Sequence, residues 1–197
     1  DDVESRGLGD VYKRQVNQLI EYDQRLYKDA LTGVYNRRYF EEQIKKKNEN
    51  AGVAVIDMDD FKLCNDTLGH SVGDAALRTM VKTVKHCIRK TDILIRYGGD
   101  EFVIIIKGIS HDEMVAFCSK LRERVLDCGL EHRYSKVMPM VTISQGACWG
   151  IPLRGNRMWD YLHVADDMLY KVKNFSRNNY CIGDIMESDD IVMDLSQ

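Results

Sequence analysis

Asp57 closes the apolar run AGVAVIDM, and Asp100 and Glu101 sit side by side between the apolar runs ILIRY and FVIIIK. Adjacent carboxylates have ordinary pKa values of roughly 3.9 and 4.3, so both ionise at neutral pH and repel. If the two acid-bearing strands are neighbours, Asp57, Asp100 and Glu101 meet at one edge of a sheet. Oxygen donors without His or Cys then call for Mg²⁺ or Mn²⁺. The plainer alternative is a solvated acidic turn.

Mg²⁺ is usually held by one or two carboxylates together with substrate phosphates. Cations suited to a phosphate chain are present: Lys62 shortly after Asp57, and Lys173 and Arg177, whose spacing predicts one side of a shared last helix. Asn65 and Asp74 point to guanine, whose N1 and N2 donors suit a carboxylate and whose O6 and N7 suit an amide NH₂. A site built on such bonds discriminates because a wrong base leaves buried groups unpaired, at roughly 1–3 kcal/mol each. Singly, these residues are ordinary surface charges, turn residues or first-turn helix acids. Only their combination points to a nucleotide.

Positioning these groups requires alternating strands and helices. The stretch 16–29 places Val16, Leu19, Ile20, Leu26 and Tyr27 near one stripe, the end of a longer helix. After the turn signal DALTG the pattern predicts a polar helix, NRRYFEEQIKKKNEN, and then the buried strand AGVAVIDM. Leu77, Val81, Val84 and Ile88 mark a helix from Ser71 to about Lys90. Gly98 and Gly99 tolerate positive φ and suit a tight reversal between ILIRY and FVIIIK. A helix (HDEMVAFCSKLRERVLDC), a strand (VMPMVTISQGACW), a helix (MWDYLHVADDMLYKVKNF) and a short last strand (NNYCIGD) follow. The predicted class is α+β, a ferredoxin-like antiparallel sheet flanked by helices.

At 197 residues and 44% hydrophobic content the chain is long enough for one domain with a real core. A formal net charge of −3 gives no reason to expect a nucleic-acid partner. No apolar run approaches the roughly 20 residues that span a bilayer, and DDVESRGLGD lacks the apolar core of a signal peptide. The expectation is a cytoplasmic domain, which a longer protein can tether to a membrane elsewhere. Six cysteines without a C-x-x-C pair, and five histidines without metal-ligand spacing, read as reduced thiols and ordinary side chains. SRGLGDVYKRQ, residues 5–15, matches the translation of a transposase adapter used in sequencing libraries. Residues 1–15 are therefore read as non-native or linker sequence and 16–28 as the end of a helix belonging to a longer protein.

Five segments in order, D-A-L-T-G-V-Y-N-R-R (29–38), D-M-D-D-F-K-L-C-N-D-T-L-G-H-S-V-G-D (57–74), R-Y-G-G-D-E-F (96–102), T-I-S-Q-G (142–146) and A-D-D-M-L-Y-K-V-K-N-F-S-R-N (165–178), resemble the GGDEF family of diguanylate cyclases. The resemblance implies a palm-type fold related to nucleotidyl cyclases over residues 29–183, with 184–197 as a tail. It further implies that Asp57, Asp100 and the Met58 carbonyl hold the metal, that Asp100 and Glu101 serve catalysis, and that Lys62, Lys173 and Arg177 bind triphosphate. Asn65 and Asp74 would read guanine, with His70 beside the nucleotide. Val34, Gln145 and Ser176 depart from the family pattern: Gln145 brings the packing of its strand into question, and Ser176 stands where glycine usually precedes the arginine.

The implied reaction condenses two GTP into cyclic di-GMP and two pyrophosphates across a homodimer, with an upstream sensor domain missing from this sequence. Arg89 and Asp92 form R-x-x-D at the spacing of the family's inhibitory product site. The bland alternative there is a surface ion pair worth about 0.2–0.5 kcal/mol. At the level of function the alternatives are a catalytically silent GTP or cyclic di-GMP receptor and a cyclase of relaxed base choice. The intact G-G-D-E-F favours catalysis, and Asp74 favours guanine.

Overall fold

A computed structural model describes residues 13–18, 22, 25–151 and 155–185. Most of the adapter-like segment, Leu19 and Ile20 of the predicted stripe, and the tail beyond Ile185 lie outside the described residues. Helical backbone at 13–18, 22 and 25–27 is designated α1. It is followed by β1 (Tyr35–Asn36), α2 (Arg37–Tyr39) and a π-helical turn (Phe40–Ile44). Next come β2 (Ala51–Met58), α3 (Phe61–Leu68), α4 (His70–Cys87), β3 (Ile93–Arg96), β4 (Glu101–Lys107) and α5 (His111–Asp127). The order closes with β5 (Ile143–Trp149), α6 (Met158–Phe175) and β6 (Tyr180–Asp184).

The six strands form one sheet in the order β1-β3-β4-β2-β5-β6. The four central strands are antiparallel, as the sequence predicts, while β1 and β6 add parallel edges against β3 and β5. Helices cover both faces. On β2, Ala54, Ile56 and Met58 pack with Leu77, Met80, Met114 and Leu121 of α4 and α5. The alternate residues Val53 and Val55 pack with Phe40 and with Tyr161 and Leu169 of α6. Burial on both faces explains why β2 and β4 read as continuous apolar runs instead of alternating ones.

Three local features differ from the sequence expectations. The polar helix predicted from Asn36 to Asn50 is only α2 and the π-helical turn, in which the Lys45 N–H donates to the Phe40 carbonyl at 2.8 Å. It shortens because Phe40 and Ile44 are its only buried residues, leaving the Lys-rich remainder no apolar face to bury. The segment 61–68, given no element by the sequence pattern, is α3. Neither Gly98 nor Gly99 adopts positive φ. The reversal there is a wider loop in which the N–H groups of Tyr97 and Gly98 both donate to the Glu101 carbonyl, at 2.9 and 3.2 Å.

Candidate active site

The register between β2 and β4 sets Asp57 directly opposite Glu101, and the turn that leads into β4 brings in Asp100. Two acid-bearing segments far apart in the sequence thus share the same sheet edge. Burial pushes the Asp57 carboxyl up to about 6; the hydrogen bond and charge of Lys173 oppose this, and the charges of Asp100 and Asp59 add to it. Burial likewise raises Asp100. Glu101 is raised by burial first, then by the nearby charges of Asp166 and Asp57. One cation offsets this concentration of negative charge directly: Lys173 Nζ lies 2.7 Å from Asp57 Oδ2.

Lys173 reaches Asp57 because α6 lies very close to β5. A Cβ built on Gly146 of β5 would collide with the Ala165 carbonyl and the Leu169 amide, so only glycine permits this approach. The carboxylate turn is braced separately. Arg96 donates from Nε and Nη2 to the Gly99 carbonyl at 3.1 and 2.7 Å and from Nη1 to both oxygens of Asp29 at 3.1 and 3.2 Å. Asp29 also accepts from the N–H and hydroxyl of Thr32, closing the DALTG turn.

Arg177 does not share the helix of Lys173. Helix α6 ends at Phe175, and Arg177 and Asn178 turn left-handed, with φ of 43° and 44°. A four-residue spacing predicts one helical face, but the chain has already left the helix. Arg177 nevertheless returns to the same strand end, where Nη1 donates to Asp60 Oδ1 at 2.7 Å. Ser176, with φ of −143°, caps the helix in a conformation that needs no glycine. Gln145 is fully buried in an intact β5, and its amide nitrogen donates to the Cys118 carbonyl at 2.9 Å. Val34 joins the core.

The remaining predicted residues lie on α3 and α4. Lys62 is exposed in the first turn of α3 and makes no ion pair among the described residues. Asn65 lies against Gly73, where a Cβ would collide with its Oδ1, so α4 approaches α3 closely one residue before Asp74. His70 is exposed at the start of α4, and Met58 is buried at the end of β2. The acids that the sequence reading passed over are Asp59 and Asp60. Asp59 is 2% exposed and accepts from the hydroxyls of Thr142 and Ser144, each at 2.7 Å, and from the Asn178 N–H at 3.0 Å. The signal for it was T-I-S, whose alternation sets two hydroxyls on one face of a chain segment bound for the core.

Arg89 and Asp92 lie apart from this edge. Asp92 Oδ2 accepts from the Arg89 backbone N–H at 2.7 Å, and no ion pair joins their side chains, so the surface-pair alternative is not realised. Asp92 Oδ1 is buried without a partner. The residue lines a cleft of about 310 Å³ together with Lys28, Tyr35, Lys85, Arg89 and Lys90.

The profile of the diguanylate cyclase GGDEF domain matches residues 26–179. The chain belongs to the GGDEF family. A probable diguanylate cyclase of Escherichia coli, DgcT, is 32% identical over 167 residues, covering 81% of this chain and 36% of the relative. The E. coli diguanylate cyclase DgcM is 33% identical over 158 residues, covering 76% and 37%. The uncharacterized protein YhcK of Bacillus subtilis is 34% identical over 175 residues, covering 85% and 48%. This GGDEF chain thus spans less than half the length of these curated relatives. Among solved structures, the coiled coil and GGDEF domain of DgcB from Caulobacter crescentus, in complex with c-di-GMP, shares the fold at a TM-score of 0.78, with 23% identity over 93% of this chain and 100% of that one. The DgcB GGDEF domain alone with c-di-GMP has a TM-score of 0.70 and 26% identity, covering 79% and 95%.

The GGDEF edge suits a hard divalent cation. Asp57 and Asp100 are half-buried carboxylates held near each other, with the Met58 carbonyl at the same strand end. No group of three or more His, Cys, Asp or Glu side chains among the described residues is arranged to enclose a metal. Two carboxylates and a carbonyl, completed by phosphate oxygens, match Mg²⁺ or Mn²⁺ better than a site made wholly of protein side chains. No helix among the described residues is long and apolar enough to cross a membrane. Among the cysteines, Cys64, Cys118 and Cys148 are buried, all six are free, and burial pushes the Cys118 thiol up to about 12.

Proposed function

We propose that this GGDEF domain is a diguanylate cyclase that condenses two GTP into cyclic di-GMP with release of two pyrophosphates. The observation that carries this reading is the meeting of Asp57, Asp100 and Glu101 at one sheet edge with Lys173 among them. Asp57, Asp100 and the Met58 carbonyl would hold Mg²⁺ or Mn²⁺, which when bound neutralises charge on the α-phosphate and favours ionisation of the attacking 3′-hydroxyl. Asp100 or Glu101 accepts or relays the hydroxyl proton, a task that their raised pKa values suit. Lys62, Lys173 and Arg177 bind the phosphate chain, while Asn65 and Asp74 hydrogen-bond guanine and His70 flanks the nucleotide.

Each attack forms one phosphorus–oxygen bond at the α-phosphate and expels pyrophosphate, and the two bonds of the product are equivalent. A homodimer with one GTP on each subunit, facing across a two-fold axis, is the economical arrangement. The cleft at Arg89 and Asp92 is suited to the product. Its cationic side chains match phosphodiesters, and Arg can stack on guanine. Product bound there would restrain turnover.

The test is to incubate the purified protein with GTP and MgCl₂ beside Asp100→Ala and to identify products by mass, with ATP in parallel for base choice. Cyclic di-GMP from wild type alone is the expected result. No product, even when a fused coiled coil enforces dimerisation, would move the reading to a silent GTP or cyclic di-GMP receptor.

A further inference from the structure

Asp60 stands where β2 gives way to α3, in the left-handed region at φ 54°, an unusual conformation for a residue other than glycine. Its carboxylate has no spare oxygen. Oδ1 accepts from Arg177 Nη1 at 2.7 Å, while Oδ2 accepts from the Ser135 hydroxyl at 3.0 Å and the Lys136 N–H at 2.8 Å. Its backbone carbonyl pairs with Nε2 of the buried His132 at 3.1 Å. These bonds, set against burial, leave the Asp60 carboxyl below its ordinary pKa.

The two ends of the Arg177–Asp60 pair are unequal. Asp60 is 12% exposed and tied to the 132–136 segment by three further bonds, whereas Arg177 is 42% exposed and ties its side chain nowhere else among the described residues. Beneath it, the left-handed backbone at Arg177–Asn178 is pinned to Asp59 through the Asn178 N–H. One acid therefore fixes where the chain turns, and its neighbour fixes where the guanidinium points. The guanidinium spends one nitrogen on Asp60 and keeps its remaining donors for another ligand.

We propose that Asp60 is a positioning residue, which sets the Arg177 guanidinium for the triphosphate and is itself held by the 132–136 segment. This rests on the GTP reading above. An arginine fixed beforehand loses less side-chain freedom on meeting phosphate, so removing its anchor weakens binding without removing a phosphate contact.

The experiment is a double-mutant cycle read by titration of a fluorescent GTP analogue in MgCl₂, using the full chain. Asp60→Asn is the main variant because Asn is nearly isosteric and tolerates left-handed backbone. Ser135→Ala is the second, since it removes one support and no charge. Asp60→Asn is expected to raise Kd about tenfold and Ser135→Ala about threefold. Neither should shift Kd by more than about twofold in an Arg177→Ala background. Equal shifts in both backgrounds, or unchanged binding in Asp60→Asn, would overturn the assignment while leaving the GTP reading intact. Failure of the wild type to bind the analogue would overturn both.

Discussion

At the Met58 end of β2, three half-buried carboxylates lie together with one lysine, which pairs directly with Asp57, whereas at the opposite end of β3 four cationic side chains and a single carboxylate line a cleft. Both regions are read here as taking phosphorylated guanine, yet they meet its charge in opposite ways. The acidic edge must acquire cations before a triphosphate can approach, which makes it selective for metal-bound nucleotide. The basic cleft already carries the countercharge and favours a ligand whose phosphates arrive without metal. In the proposed reading, catalysis and product sensing stand on different electrostatic footings within one domain.

The sharpest way to break the comparison is Asp100→Ala. Cyclic di-GMP formation should fall by about a thousandfold, the scale of losing a group that acts in the transition state. Calorimetric binding of cyclic di-GMP at the cleft should stay within about twofold, because Asp100 does not line it. A parallel loss of both would mean that the two regions are one site.

Gly146→Ala should come next in size. The added methyl meets backbone on both sides of the α6–β5 contact, so a loss of about 3 kcal/mol in urea unfolding is expected. Turnover should fall with it because α6 carries Lys173. Unchanged stability would show that α6 is free to shift and that Lys173 does not ride on a rigid base.

Arg89→Ala separates the regions from the other side. Inhibition by added cyclic di-GMP should weaken about tenfold, the worth of a charge-assisted contact, while initial turnover is unchanged. Undiminished inhibition would remove the cleft from the regulatory reading.

Proton linkage tests the acidic edge alone. Burial raises the Asp57 carboxyl to about 6 in the folded chain, against roughly 3.9 unfolded, so folding favours its neutral form. Its contribution to metal-free stability is complete below about pH 4 and is lost as pH rises through about 6. Urea midpoints between pH 4 and 7 should show this decline, and Asp57→Asn should flatten it. Saturating Mg²⁺ should also oppose it, since the ion binds the charged form.

What the sequence made legible depended on how local the cause was. The convergence of Asp57 with Asp100 and Glu101 was readable because Asp57 closes one apolar run and Asp100 and Glu101 open another, both reading as buried strands, and antiparallel neighbours bring such ends together. Arg177 was not legible in structure: spacing suggests a helical face, while the chain leaves α6 in a left-handed turn whose Asn178 N–H donates to Asp59, far away in the chain. Helix α3 escaped notice because only Cys64 among its eight residues is fully buried, leaving no clear apolar stripe. Parallel edges carry no local signature, since the partners of β1 and β6 are fixed by the packing of α2 and α6. The R-x-x-D motif showed which groups to expect, but not that Asp92 would spend one oxygen on a backbone amide and keep the other unpaired.

Arg96 has a mechanical meaning as well as an electrostatic one. It grips Asp29, just past the last helical residue of α1, with one nitrogen and the Gly99 carbonyl, next to Asp100, with two others. The chain at Asp29 and the loop carrying Asp100 are therefore rigged by a single lever. Torque applied to the chain ahead of Asp29 would reach that loop directly, bypassing the close-packed interior that would otherwise absorb it.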